Sequence, residues 1–142
     1  MNNGIYELSD DGKTLLDVTD KNISEAVIPD GVTHIGLKAF WFCEALQSIN
    51  IPNSVTYIGY EAFSRCEALQ SIEVVEGNQY FASTDGVLFS KDLTQIIRYP
   101  QAKYCSQYTI PNTVTHIGDS AFSYCEALQS IVIPNSVTYI GD

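Results

Sequence analysis

The sequence predicts an α/β solenoid: a coiled chain with a parallel β-sheet on one face, short helices on another, and β-hairpins as cap and insertion. Three observations predict it. First, the stretch from Ile51 to Ile72 recurs 23 positions earlier, from Ile28 to Ile49, with Pro29, Val32, Ile35, Gly36, Ala39, Phe40, Cys43 and Leu46 in register. Second, it recurs from Ile110 to Ile131, with Pro111, Val114, Ile117, Gly118, Ala121, Phe122, Cys125 and Leu128 matching, and a further copy opens at Ile133. A fixed period in this range belongs to chains in which each unit buries its apolar face only against its neighbours. Third, the chain repeats its own beginning at an offset of 82, so that Pro29 matches Pro111, His34 matches His116 and Tyr57 matches Tyr139.

The chain opens with two β-leaning runs, Ile5-Tyr6-Glu7-Leu8 and Thr14-Leu15-Leu16-Asp17-Val18, around Ser9-Asp10-Asp11-Gly12-Lys13. Asp-Gly between such runs is a hairpin signal, and this hairpin, over residues 1–26, is expected to cap the first coil. Residues 27–74 hold two repeats. Within them Ser48-Ile49-Asn50-Ile51 alternates, turning Ile49 and Ile51 inward and Asn50 outward. Pro52 then ends the strand because it has no N–H to give to a ladder. Val55 and Ile58 mark a second extended piece, and Gly59 is expected to take a positive φ at the next corner. Ala62, Phe63, Cys66 and Leu69, at i, i+1, i+4 and i+7, predict a helix of one or two turns held in place by packing.

The register breaks at Val74, and residues 75–108 read as a hairpin insertion. Val87-Leu88-Phe89 and Gln95-Ile96-Ile97-Arg98-Tyr99, around Ser90-Lys91-Asp92-Leu93-Thr94, reproduce the opening pattern. Residues 109–142 carry one full and one truncated repeat, and 1–142 reads as a single domain. The strand from Gln129 to Ile133 is expected to be an unpaired edge, with apolar Val132 outward where earlier coils carry Asn50 and Glu73.

Composition and charge narrow the function. With 45% hydrophobic and 17% charged residues and no apolar run near the ~20 residues that span a bilayer, the chain reads as a folded, water-soluble domain without membrane insertion. A formal charge of -10 with only seven Lys and Arg argues against nucleic acid and anionic membrane surfaces as partners. Met1-Asn2-Asn3-Gly4 does not open a secretory signal.

Cys43, Cys66 and Cys125 share one repeat position, which reads as a packing column rather than a disulfide set, and no Cys-x2-Cys pair offers zinc ligands. Cys105 stands in the non-repeating segment. His34 and His116 are equivalent positions, better read as column variants of Tyr57 and Tyr139 than as catalytic bases. Gly12-Lys13-Thr14 looks like the end of a phosphate-binding loop, but Glu7 occupies the place of its first glycine. Asp10, Asp11, Asp17 and Asp20 lack the spacing of a calcium loop. Asn22-Ile23-Ser24 has the form of a glycosylation sequon. No catalytic residue, metal site or cofactor is expected.

The pattern Ile-Pro-x-x-Val-Thr-x-Ile-Gly-x-x-Ala-Phe-x-x-Cys-x-x-Leu-x-x-Ile resembles the BspA-like, or Treponema-type, leucine-rich repeat family over residues 27–74 and 109–142. Ser83 to Asp92 is similar to the hairpin insertions such proteins carry. The resemblance implies a right-handed leucine-rich-repeat superhelix, a bacterial cell-surface or secreted location, attachment in some members to host matrix proteins or other cells, and no enzyme. It points to a non-catalytic protein-interaction module of an adhesin. The outward strand residues Gln47, Asn50, Gln70, Glu73, Gln129 and Val132 are its candidate binding surface. One alternative is a carbohydrate-binding module using Trp41, Tyr60, Tyr80 or Tyr124 to stack on sugar rings; another is a cytoplasmic interaction scaffold. The apolar edge at Val132 further predicts a homodimer through the C-terminal end.

Overall fold

The computed structural model describes residues 4–142. The first three residues of the expected cap, and with them most of the stretch read for a signal, lie outside the described residues. Strands β1 (Tyr6–Leu8) and β2 (Thr14–Val18) form an antiparallel hairpin. Its turn is held by Ser9 and Asp11. Ser9 Oγ donates to Asp11 Oδ1 at 2.6 Å and accepts from Thr14 N–H, while Gly12, at φ +71°, gives its N–H to Ser9 O.

Strands β3 (Glu25–Val27), β4 (His34–Ile35), β5 (Ser48–Ile51), β6 (Tyr57–Ile58) and β7 (Ser71–Val74) follow at the repeat period. They sort into two parallel ladders on two sides of the coil. In one, β3, β5 and β7 align Ala26 with Ile49 and Ile72, and Val27 with Asn50 and Glu73. In the other, β2, β4 and β6 align Thr14 with His34 and Tyr57, and Leu15 with Ile35 and Ile58. The parallel sheet expected on one face is thus matched by a second, built from the Val55-to-Ile58 piece and its equivalents. Thr33 and Thr56 extend this second ladder through their hydroxyls, which donate at 3.3 Å to Lys13 O and Thr33 O.

On the remaining side the expected short helices are absent: among the described residues there is no helix, and so none able to cross a membrane. The segment from Gly36 to Leu46 is instead a string of tight turns. Ala39, Trp41 and Cys43 donate their N–H groups three residues back, while Lys38, Phe40 and Phe42, between them, donate to Tyr60, Ala62 and Ser64 of the next coil. Alternate donors leave the coil, so no continuous i to i-4 series can form. Lys38 and Phe42, Glu61 and Arg65, and Ser120 and Tyr124 also take φ between 53° and 62°, in the left-handed region that interrupts a right-handed helix. The apolar spacing looked helical because Ala39, Phe40, Cys43 and Leu46 face the core in either geometry, and all four are fully buried.

Gly59 requires a second correction. Its φ is not positive; that conformation falls on Gly4, Gly12, Gly31, Gly77 and Gly86 among the glycines described. A Cβ on Gly59 would instead lie 2.6 Å from Leu37 N and 2.7 Å from Gly36 C. Glycine stands there because neighbouring backbones touch.

The insertion supplies β8 (Phe81–Thr84), β9 (Val87–Ser90) and β10 (Gln95–Arg98), each antiparallel to the next. The turn after β9 copies the first hairpin, with Ser90 Oγ donating to Asp92 Oδ1 and accepting from Gln95 N–H. β11 (Gln107–Thr109), β12 (His116–Ile117), β13 (Ser130–Val132) and β14 (Tyr139–Ile140) then resume the coil. β10 pairs in parallel with β12, and β12 with β14, aligning Gln95, His116 and Tyr139, while β11 pairs with β13. The outer edge of β7 is covered by the β8–β9 hairpin: Ile72 N–H donates to Gly86 O at 2.8 Å and Val74 N–H to Ser83 Oγ at 2.9 Å. Buried Asn78 ties this insertion to the second coil, its Nδ2 donating to Pro52 O and Val55 O and its Oδ1 accepting from Tyr80 and Phe81 N–H, which uses every bonding position of the amide.

The core follows the axis. Leu15, Ile35, Ile49, Ile72 and the mutually tilted rings of Phe40 and Phe63, with centroids 5.6 Å apart, fill the first coils. Phe89, Ile96, Tyr99, Ile110 and Val114 continue in the second part. Each such side chain contributes about 1.5–3 kcal/mol on burial.

Candidate functional site

All six residues read from the sequence as a binding surface are exposed. The structure brings four of them together. Asn50 and Glu73 are register partners on β5 and β7, and Gln70 N–H donates to Gln47 O at 2.8 Å, so the two glutamines stack where the ladder begins. The same face carries Glu25, Ser48 and Ser71 in one row and Val27, Asn50 and Glu73 in the next. Ser71 Oγ donates to the Glu73 carboxylate and holds that side chain along the strand. Partners facing each other across strands stand about 5 Å apart, so this patch offers side chains at fixed spacing.

Gln129 and Val132 lie elsewhere. Val132 belongs to the separate sheet of β11 and β13, where it faces Thr109, with Gln129 just before β13, and the β8–β9 hairpin stands between that sheet and β7. The strand face is therefore in two pieces.

The residues weighed for chemistry are placed as follows. His34 and His116 each hold Nδ1 2.8 Å from the preceding threonine hydroxyl and tilt over Tyr57 and Tyr139, with ring centroids 5.6 Å apart. Burial pushes the thiols of Cys43 and Cys125 up to about 11 and that of Cys66 up to about 12, so all three are protonated at neutral pH and poor nucleophiles. Cys66 donates to Phe40 O at 3.2 Å and Cys125 to Tyr99 O at 3.6 Å, the same contact in two coils. The four cysteines are free thiols, and among the described residues no group of three or more His, Cys, Asp or Glu could hold a metal ion.

Trp41, Tyr60, Tyr80 and Tyr124 are exposed as expected. Two of them already carry a cation: Lys38 Nζ lies 5.1 Å from the Trp41 ring, and the Arg65 guanidinium 4.3 Å from the Tyr124 ring. Arg65 also approaches Phe42 at 5.9 Å, so Phe42, Arg65 and Tyr124 make a column. Sequence reasoning missed it, although the three share one position when the repeats are aligned. It missed Arg98 too, whose signal is a lone charge inside the apolar run from Ile96 to Tyr99.

Strands joined by tight turns, stacked coil on coil in parallel ladders, define a leucine-rich-repeat solenoid of about six turns. The chain belongs to the BspA type leucine rich repeat family: it matches that repeat region in six copies, over residues 18–108 and 97–142. It is similar to a leucine-rich repeat protein of Eubacterium ventriosum, at 34% identity and a TM-score of 0.79, over 83% of this chain and 32% of that one. It is also similar to the pneumococcal vaccine antigen PcpA, at 29% identity and a TM-score of 0.71, over 84% of this chain and 36% of that one. A leucine rich cell surface protein of Faecalibacterium prausnitzii matches at 25% identity and a TM-score of 0.55, over 84% of this chain and 41% of that one. The chain thus spans roughly a third of the length of these solved proteins. No match is found among curated proteins.

Proposed function

We propose that this chain is a non-catalytic protein-interaction module of a bacterial cell-surface or secreted adhesin, binding a host or bacterial protein through the outward face of β3, β5 and β7. The observation that carries the reading is the exposed row Val27, Asn50 and Glu73 beside Gln47 and Gln70, set on a backbone locked by parallel ladders. A flat, rigid patch of this kind loses little freedom on binding and suits another protein surface, whereas small molecules favour concave pockets. The surface location is supported by similar proteins described as a cell surface protein and a vaccine antigen. Gln129, just before β13, and Val132 on it offer a second, smaller patch. Its chain neighbours Ile131 and Ile133 are exposed as well, which supports a homodimer through this strand.

The carbohydrate reading is weaker because Lys38 and Arg65 occupy faces of Trp41 and Tyr124 that a sugar ring would need. Binding of the purified chain to immobilised extracellular matrix proteins and to a glycan array tests the choice. Saturable binding to a protein with a blank array is expected. Glycan binding abolished by Tyr60→Ala or Tyr80→Ala, with no protein bound, would overturn it.

A further inference from the structure

The hydrogen bonds between coils are interrupted once, where the second coil meets the insertion. In the first coil, Lys38 and Phe40 N–H donate to Tyr60 and Ala62 O of the second. Glu61 and Phe63 are their repeat equivalents, and among the described residues no acceptor meets their N–H groups. The cause is local: the incoming chain cuts the corner. Ile96 takes the place of Ile35 and Tyr99 that of Phe40, since Tyr99 N–H donates to Ala121 O as Phe40 N–H does to Ala62 O, yet only Ile97 and Arg98 separate them. A notch of about 170 Å³ is left, walled by Glu61, Phe63, Ser64, Arg98, Asp119 and Ser120.

Arg98 stands in this notch and is only 5% exposed. Nη1 donates to Ser120 O at 2.6 Å and Ser123 Oγ at 2.7 Å, and Nη2 to Ser123 O at 3.2 Å. Ser123 O corresponds to Ser64 O, which in the second coil receives Phe42 N–H; Gln101, the equivalent of Phe42, makes no such bond, and the guanidinium donates there instead. That accounts for one side of the group only. Nε–H is buried without an acceptor, and every acceptor Arg98 does have is neutral. The carboxylates on the wall are engaged elsewhere: Glu61 pairs with Lys38 Nζ at 3.3 Å, and Asp119 Oδ1 accepts from Asp142 N–H at 3.1 Å.

We propose that the notch is a carboxylate-binding site, with the N–H groups of Glu61 and Phe63 as its donors and the Arg98 cation in its wall as the counter-charge. A buried cation whose acceptors are all neutral is costly, and hydrogen bonds from it to an anion are roughly twice as strong as neutral ones. Backbone N–H groups without acceptors, on residues that line one cavity, favour the same sign of guest. At roughly 30 Å³ per water the notch holds about six waters, room for a carboxylate and the carbon atoms that carry it. A singly charged group matches one cation, whereas a dianionic phosphate would meet Glu61 and Asp119 as well. The carboxylate comes either from a small free acid or from an Asp or Glu side chain of another protein. The site lies off the strand face and does not depend on that face binding anything.

The test is a titration of the ¹⁵N-labelled chain at constant ionic strength with sodium acetate and with an end-blocked Gly-Asp-Gly peptide, acetamide and the Gly-Asn-Gly peptide serving as controls. The Arg98 Nε–H signal and the Glu61 and Phe63 amide signals should shift together and saturate with the acids, and stay still with the amides. Saturation by acetate alone assigns a free acid; saturation by the Asp peptide at lower concentration assigns a side chain. No saturable shift with either acid, or equal shifts with the amides, overturns the site. Arg98→Gln should abolish the shifts, but it also strips the bonds to Ser120 and Ser123 and can unfold the chain. Asp119→Asn leaves those bonds in place and removes a negative charge from the wall, so acetate should bind at least about twofold more tightly. Unchanged or weaker binding in that variant also overturns the proposal.

Discussion

Gly59→Ala places one methyl group where the backbones of two coils touch. Conformation alone favours alanine there: φ is not positive, and such a replacement typically stabilises by about 0.4–1 kcal/mol through the unfolded chain. Space decides the other way. The new Cβ would stand 2.6 Å from Leu37 N, 2.7 Å from Gly36 C and 2.9 Å from Gly36 O, all backbone atoms that cannot swing aside. Restoring an ordinary contact of about 3.5 Å separates the coils by nearly 1 Å. The bonds from Gly59 N to Ile35 O, now 2.7 Å, and from Lys38 N to Tyr60 O, now 3.2 Å, then stretch or break. Overpacking costs about 1–3 kcal/mol and each of the two weakened bonds about 0.5–1.5, so after the gain of about 0.4–1 is set off the expected net loss is about 1–5 kcal/mol. Urea unfolding followed by circular dichroism should show a lower midpoint with an unchanged slope. Gly31→Ala is the control, because a Cβ there meets nothing within 4 Å while φ is +94°, and it should cost about 1–2 kcal/mol from backbone strain alone. A Gly59→Ala protein as stable as the parent would refute the close-approach explanation of the glycine column.

Phe63→Ala should cost about 3–5 kcal/mol, since its ring is 3% exposed and packs on Phe40; a loss under about 1 kcal/mol in the same unfolding assay would contradict that placement. The thiols of Cys43, Cys66 and Cys125 are raised above their ordinary value of 9.0 because burial favours the neutral form. Their contribution to stability is then complete below pH 9 and is lost as pH rises towards 11 to 12, so the unfolding midpoint should fall across that window, and a Cys43→Ala, Cys66→Ala variant should fall less steeply. Light scattering at increasing concentration should reveal a dimer that Val132→Lys shifts towards monomer, while a monomer at every concentration would dispose of the C-terminal contact.

The coil was legible because its period, its prolines and its inward Ile and Val positions are set by one-dimensional rules, and both hairpin turns repeat a Ser-x-Asp pattern, Ser9 with Asp11 and Ser90 with Asp92. The turns on the third side were not. Ala62, Phe63 and Cys66 show which side chains face inward, but the choice between a helix and alternating turns depends on where each N–H goes. That choice is made by the neighbouring coil's carbonyls. Gly59 misled for a similar reason, since a glycine required by an approaching backbone looks in sequence like one required by its own φ. The six surface residues were found by alternation alone. Their division between two sheets was hidden because it depends on Gly86 and Ser83 of the hairpin covering β7, a long-range contact with no local signal. Arg98 was overlooked because its role exists only where the insertion shortens a coil.

The central claim is that the face of β3, β5 and β7 binds protein, and charge reversal on and off that face tests it most directly. Glu73 lies on the face beside Asn50; Glu67 lies on the turn side, beside Arg65 and Tyr124. Both are exposed, so neither substitution empties the core. In calorimetric titration against a protein that the chain binds, Glu73→Lys should weaken affinity at least about tenfold, equivalent to about 1.4 kcal/mol, while Glu67→Lys leaves it within about twofold. Equal losses from the two substitutions, or a larger loss from Glu67→Lys, would contradict the assignment.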